Sequence, residues 1–157
     1  MKKIFFIAVA TVCLLFAFLL KTPGIAAATG FPTDQFPVAA ASTLAGLPPD
    51  ARVFAPDKFG GYLIYKFNGT RKVFFDGRSD FYGAGFLKDY GRIVQVRPGW
   101  QSLFDPYRIN YALLPNNYSL VGILGQQGWS RMYSDSTVTL LAAVPPGKAR
   151  PAGLEKN

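Results

Sequence analysis

Residues 4–20 (IFFIAVATVCLLFAFLL) form an unbroken uncharged run, entered from Lys2 and Lys3 and left through Lys21, Thr22, Pro23 and Gly24. In a helix rising about 1.5 Å per residue the run reaches about 25 Å, the short end of what a hydrocarbon core of about 30 Å accepts. The pattern therefore predicts a helix with the lipid bilayer as its partner. Basic residues on its N-terminal side keep that end cytoplasmic and send everything after Lys21 across the membrane. Two outcomes then compete: a cleaved signal peptide, with Ala26, Ala27 and Ala28 as the small-residue site before Thr29, and an uncleaved anchor. The run exceeds the usual hydrophobic stretch of about 7–15 residues, and Pro23-Gly24 closes the helix well short of the alanines, which favours the anchor. Cys13, inside the run, reads as a lipid-facing residue and not as a lipoprotein acceptor.

Beyond the run, patterning changes several times. Residues 22–36 are rich in small residues, Gly and Pro and read as a linker, and residues 145–157 (PPGKARPAGLEKN) read as a disordered tail. Between them, residues 37–144 make one globular unit. Residues 37–45 are good helix formers with Pro37 in the first turn and Gly46 as the stop. Residues 52–55 predict a short buried strand. Asp57 is a candidate N-cap for a helix through Phe67, because Phe59, Leu63 and Phe67 recur every fourth residue. Residues 72–75 predict a second strand, and residues 86–95 a helix by the spacing of Phe86, Tyr90, Ile93 and Val94. A short helix over 101–107 leads to a third strand over 109–114. Asn116 or Asn117 can cap a helix carrying Leu120, Val121 and Leu124, ended by Gly125 and Gly128. Residues 129–133 and 137–144 flank Ser134-Asp135-Ser136 as a hairpin. Strands alternating with helices imply an α/β fold: one N-terminal transmembrane helix and a small three-layer α/β domain, its sheet mainly parallel with a C-terminal β-hairpin at one edge.

Charge changes this picture little. The chain of 157 residues has a formal net charge of +8, but residues 31–146 hold 11 Lys and Arg against 8 Asp, without the basic stripe that nucleic-acid binding requires. Nucleic acid is therefore not an expected partner. Composition excludes more: with no His and one Cys there is no Ser/His/Asp or Cys/His nucleophile system, no disulfide framework and no His or Cys-rich zinc site. No metal or cofactor is expected.

The richest stretch for chemistry is residues 74–83 (FFDGRSDFYG), which places Asp76, Arg78 and Asp80 directly after a predicted parallel strand, where α/β folds put ligand sites. Asp76 and Asp80 could hold a divalent cation or serve as acid and base, and Arg78 could grip a phosphate or carboxylate with two parallel bonds. The alternative is an Asp–Arg pair that satisfies loop backbone groups and locks a turn at Gly77. Gly60 and Gly61, in the first turn of a predicted helix, imply close approach by a neighbouring backbone or by a ligand, at a cost of about 1 kcal/mol each relative to Ala. Tyr62, Tyr65, Tyr82, Tyr90 and Trp100 could form a platform for sugar rings or belong to the core and its rim. Gly83-Ala84-Gly85 lacks the third glycine of a dinucleotide loop.

Several of these segments occur together in a recognisable order. Residues 36–40 (FPVAA), 52–54 (RVF), 59–64 (FGGYLI), 73–82 (VFFDGRSDFY) and 109–115 (INYALLP) resemble the C-terminal extracytoplasmic domain of bacterial multi-spanning, glycosyltransferase-like (oligosaccharide-transferase-like) membrane proteins, largely uncharacterised. The resemblance covers roughly residues 36–144, and Gly60-Gly61-Tyr62-Leu63-Ile64 and Asp76-Gly77-Arg78 are its most specific pieces. It implies a domain that follows many membrane helices, with acidic catalytic residues in an early extracytoplasmic loop that this chain lacks. Asp76, Arg78, Asp80, Tyr82, Gly60 and Gly61 are the candidate ligand-binding residues of this chain, and the resemblance implies a glycan or lipid-linked sugar as ligand.

The resulting expectation is a single-pass protein of the bacterial inner (cytoplasmic) membrane with a periplasmic domain. That domain would act as an accessory or substrate-positioning module in envelope glycan assembly, not catalytic alone, with a polytopic membrane protein as partner. One alternative is a glycosyltransferase-like or metal-assisted enzyme using the Asp76-Gly77-Arg78 loop. The other is a structural fragment of a larger polytopic protein.

Overall fold

A computed structural model describes residues 2–21 and 30–143 of the chain. Residues 22–29 and 144–157, which include the candidate cleavage site, part of the linker and the tail, lie outside the described residues. The chain divides into two compact units, Met1–Pro32 and Thr33–Asn157.

In the first unit, helix α1 runs over Lys2–Lys21. Side chains are described for residues 9–18 of it, and Val12, Leu14, Leu15, Phe16 and Phe18 are all exposed. Among the described residues no helix is long and apolar enough to cross a membrane.

The second unit is α/β. Helix α2 (Ala41–Ala45) precedes strand β1 (Val53–Phe54), helix α3 (Asp57–Lys66), helix α4 (Ser79–Val94), helix α5 (Trp100–Phe104) and a single 3₁₀ turn (Asp105–Tyr107). Strand β2 (Tyr111–Pro115), helix α6 (Ser119–Gln126) and strands β3 (Ser130–Ser134) and β4 (Val138–Ala142) complete it. The four strands form one sheet in the order β1-β2-β4-β3. Only β1 and β2 are parallel; β4 pairs antiparallel with both β2 and β3. The sheet is thus mixed, and the expectation of a mainly parallel sheet is corrected: β4 returns from the hairpin and inserts beside β2. The hairpin itself forms where the pattern places it, around Asp135, with a bulge between Arg131 and Tyr133.

Both faces of the sheet are covered. Ala112, Leu114 and Leu141 share one face with Phe54 and join a core with Ile93, Trp100, Phe104, Leu120 and Leu124. The alternate positions Val53, Leu113, Leu140 and Val138 face the other way and are equally buried. Leu44, Phe59 and Leu63, buried outside that core, come from α2 and α3.

Residues 72–75 correct a second expectation, because they form no strand. Their apolar side chains are used as predicted, but the two phenylalanines pack into rings on either hand. Phe74 meets Phe54 and Tyr107, and Phe75 meets Tyr82 and Tyr90. Helix α4 begins seven residues earlier than its periodicity suggested and is broken at Gly83, whose φ of 77° no helix can hold. Asp57 is the first residue of α3 and not its cap, the cap position being Pro56. Neither Asn116 nor Asn117 caps α6, which starts after Tyr118. Asn116 is committed elsewhere: its amide donates to the Asp135 carbonyl at 2.7 Å and accepts from the buried Thr139 hydroxyl at 2.8 Å.

Candidate functional site

The loop after Phe75 crosses the first turn of α3, and its course depends on Gly60. A Cβ at Gly60 would strike the Phe75 carbonyl oxygen and stand 2.8 Å from its carbon and 3.0 Å from Asp76 Cα. Gly61 faces open space. Of the two glycines only Gly60 is closely approached, and the neighbour is backbone. One residue beyond Asp76 the chain reverses at Gly77, in the left-handed region with φ of 85°.

That reversal lets Arg78 fold back on Asp76. Its Nε and Nη2 donate to Asp76 Oδ2 at 2.9 and 2.6 Å, while its backbone N–H donates to Oδ1 at 3.2 Å. The Asp76 side chain is 3% exposed and that of Arg78 64%. The Arg78 hydrogen bonds outweigh burial and hold the Asp76 carboxyl below the ordinary carboxylate range, and the carboxylate in turn raises the Arg78 pKa. A carboxylate so committed is a weak base and has little capacity left for a cation. The guanidinium also lies over the Phe81 ring, 5.2 Å from its centroid.

Tyr82 joins this place through the edge-to-face contact of its ring with Phe75, at 5.0 Å, and burial raises its pKa. Asp80 sits exposed in the first turn of α4, with no hydrogen bond or ion pair among the described residues. Asp76, Arg78, Tyr82 and Gly60 are therefore brought together, while Asp80 and Gly61 are not. Among the described residues no group of three or more His, Cys, Asp or Glu could hold a metal ion. The tyrosines do not build one platform either: Tyr62 is buried, Tyr65 is exposed, and Tyr82 and Tyr90 pack with Phe75 and Phe86.

With residues 72–75 outside the sheet, the carboxyl ends of the two parallel strands lie elsewhere. They run into Asp57 after β1 and Tyr118 after β2, two residues not singled out as a site from the sequence, and there the structure sets them beside Tyr90. The Tyr90 hydroxyl accepts the Asp57 backbone N–H at 3.1 Å and donates to Asp57 Oδ1 at 3.3 Å. Burial, and secondarily the nearby Asp57 charge, raises the pKa of Tyr118. Burial is also the main cause for Tyr90. A Cβ on Gly77 would lie 4.0 Å from that of Asp57, which joins the Asp76 loop to this cluster. Two phenols held protonated beside a carboxylate can donate and accept hydrogen bonds but cannot act as bases near neutrality. The signal available in the sequence was positional: Asp57 and Tyr118 each follow a parallel strand by a few residues.

No protein-family model, no curated protein and no solved structure matches this chain. The resemblance carried by residues 36–40, 52–54, 59–64, 73–82 and 109–115 accordingly rests on those segments alone.

Proposed function

We propose that the chain is a membrane-anchored, extracytoplasmic accessory domain that positions substrate in envelope glycan assembly and does not catalyse transfer alone. The observation that carries the reading is α1. Its bulky apolar side chains, such as Leu14 at 71% and Phe18 at 69% exposure, stand uncovered between terminal lysines, an arrangement that calls for lipid or a partner helix. The Asp76–Arg78 pair supports the non-catalytic part, since the carboxylate that an enzyme would use is already bonded by its own loop. The glycan and the polytopic partner come from the motif resemblance. In this reading the protein resides in the inner membrane with residues beyond the anchor in the periplasm.

The test is purification of the tagged full chain from native membranes in mild detergent, with mass spectrometry of the chain and its companions. An intact N-terminus together with a multi-spanning partner is expected. A chain that begins near Thr29 and is recovered alone overturns the anchor and the partner together, and conversion of a lipid-linked sugar by the purified chain overturns the non-catalytic assignment.

A further inference from the structure

At the opposite end of the sheet from Asp57 and Tyr118, a half-open cleft of about 240 Å³ lies between α5, the 3₁₀ turn, Arg108 and Ile109 ahead of β2, and the end of α6 with the residues just after it. Both tryptophans of the chain line it. Trp100 is buried and fixes the floor, while Trp129 is half-buried and is held by its ring contact with Phe104 at 6.3 Å. Four polar side chains complete the lining: Gln101, Asp105, Arg108 and Gln127.

Those four differ from the Asp76–Arg78 pair in one respect. All four residues are exposed, and among the described residues none of them has a side-chain hydrogen bond or an ion pair, although Asp105 and Arg108 carry opposite charges in the same turn, so their polar groups face solvent at the cleft's rim and are free to meet a ligand. Arg108 is moreover held with φ of 50° and ψ of 42°, a left-handed conformation that a non-glycine residue adopts at a cost, and such departures concentrate at binding sites.

We infer that this cleft is a binding site for a neutral saccharide, with one sugar ring against Trp129 and its hydroxyls bonded by Gln101, Asp105, Arg108 and Gln127. A pyranose has an apolar C–H face and a girdle of hydroxyls that both donate and accept. One indole wall and four planar hydrogen-bonding side chains match it on both counts. The lining charges cancel, which matches an uncharged ring. A hydrocarbon or a flat aromatic ligand would instead make no use of the four polar groups at the rim. The inference stands on the cleft's own residues, so loss of membrane retention would sink the functional proposal above and leave this one intact.

Because both tryptophans line the cleft, their emission reports on it directly. The full chain, purified in a detergent without a sugar headgroup, is titrated with cellobiose, maltose and N,N′-diacetylchitobiose. At least one disaccharide is expected to change the emission saturably in the millimolar range. Gln127→Ala and Arg108→Gly should each weaken that binding by about tenfold, equivalent to about 1.4 kcal/mol. Arg108→Gly should at the same time raise the thermal midpoint, because glycine holds the left-handed backbone without penalty. Loss of binding with a gain of stability separates a ligand contact from a structural role. The proposal is overturned if none of the three sugars changes the emission at tens of millimolar, or if both variants bind as tightly as the parent.

Discussion

The carbonyl of Phe75 occupies the space where a side chain on Gly60 would begin, so the loop bearing Asp76 is seated directly on the backbone of α3. Gly61, the next residue, has no atom within 4 Å of its missing Cβ. Two adjacent helical glycines should therefore respond to alanine with opposite signs. Gly60→Ala is expected to cost about 3 kcal/mol, since the obstructing atoms are backbone and cannot rotate away. Gly61→Ala is expected to gain up to about 1 kcal/mol through helix propensity. Urea unfolding of both variants checks the pair, and equal effects would contradict the seating of the loop.

The hydrogen bond from Arg78 is the main cause that lowers the Asp76 pKa. In Arg78→Ala the Asp76 carboxyl should titrate close to the unperturbed value of about 3.9, whereas in the parent it titrates lower. Carbon-detected NMR of the carboxyl groups measures the difference. An unchanged Asp76 titration would show that the pair does not persist in solution.

Asp135 organises the hairpin. Its Oδ1 accepts the backbone N–H groups of Thr137 and Val138 at 2.7 and 2.8 Å, and its Oδ2 accepts the Tyr133 hydroxyl at 2.7 Å. Burial by itself would raise its pKa, but the bonds from Val138, Tyr133 and Thr137 prevail and lower it. Asp135→Ala should cost about 2 kcal/mol, the scale for hydrogen bonds to a charged group.

The same lowering predicts the acid behaviour of the fold. For Asp76 and Asp135 the folded pKa lies below the unfolded one, so their contribution is fully present above about pH 5 and is lost as the pH falls through the folded values, below about 4. The unfolding midpoint should thus decline on acidification, and the decline should be shallower in Asp135→Asn. An equally steep decline in that variant would remove Asp135 from the account.

Tyr90 should be the last tyrosine to ionise. Burial raises its pKa far above the ordinary value of 10.0, and the neighbouring Asp57 charge opposes a phenolate beside it. Its folded pKa exceeds the unfolded one, so the associated stability is present below about pH 10 and is lost only as the pH rises beyond it. Spectrophotometric titration should show one tyrosine ionising together with alkaline unfolding, and Tyr90→Phe should abolish that step.

The sequence by itself determined what depends on neighbours along the chain. Helix α3 and the later part of α4 follow from apolar residues three and four apart, and the hairpin follows from two strand-like segments flanking the turn residues Ser134-Asp135-Ser136. The structural alternative for Asp76 and Arg78 was equally local, a matter of two residues across Gly77. Tertiary structure decided the rest. Residues 72–75 have the composition of a strand, yet whether such a segment joins a sheet depends on whether a strand edge is presented to it. Here the Phe75 carbonyl meets Gly60 instead, a packing fixed by residues far apart in sequence. Asn116 could cap a helix, but the distant Thr139 and Asp135 engage it first. The insertion of β4 beside β2, the meeting of Tyr90 with Asp57 and the cleft at Trp129 likewise join residues well separated along the chain. Local pattern sets which conformations a segment can adopt at low cost, and long-range burial selects among them, because a few kcal/mol of packing exceeds the tenths of a kcal/mol by which propensities differ.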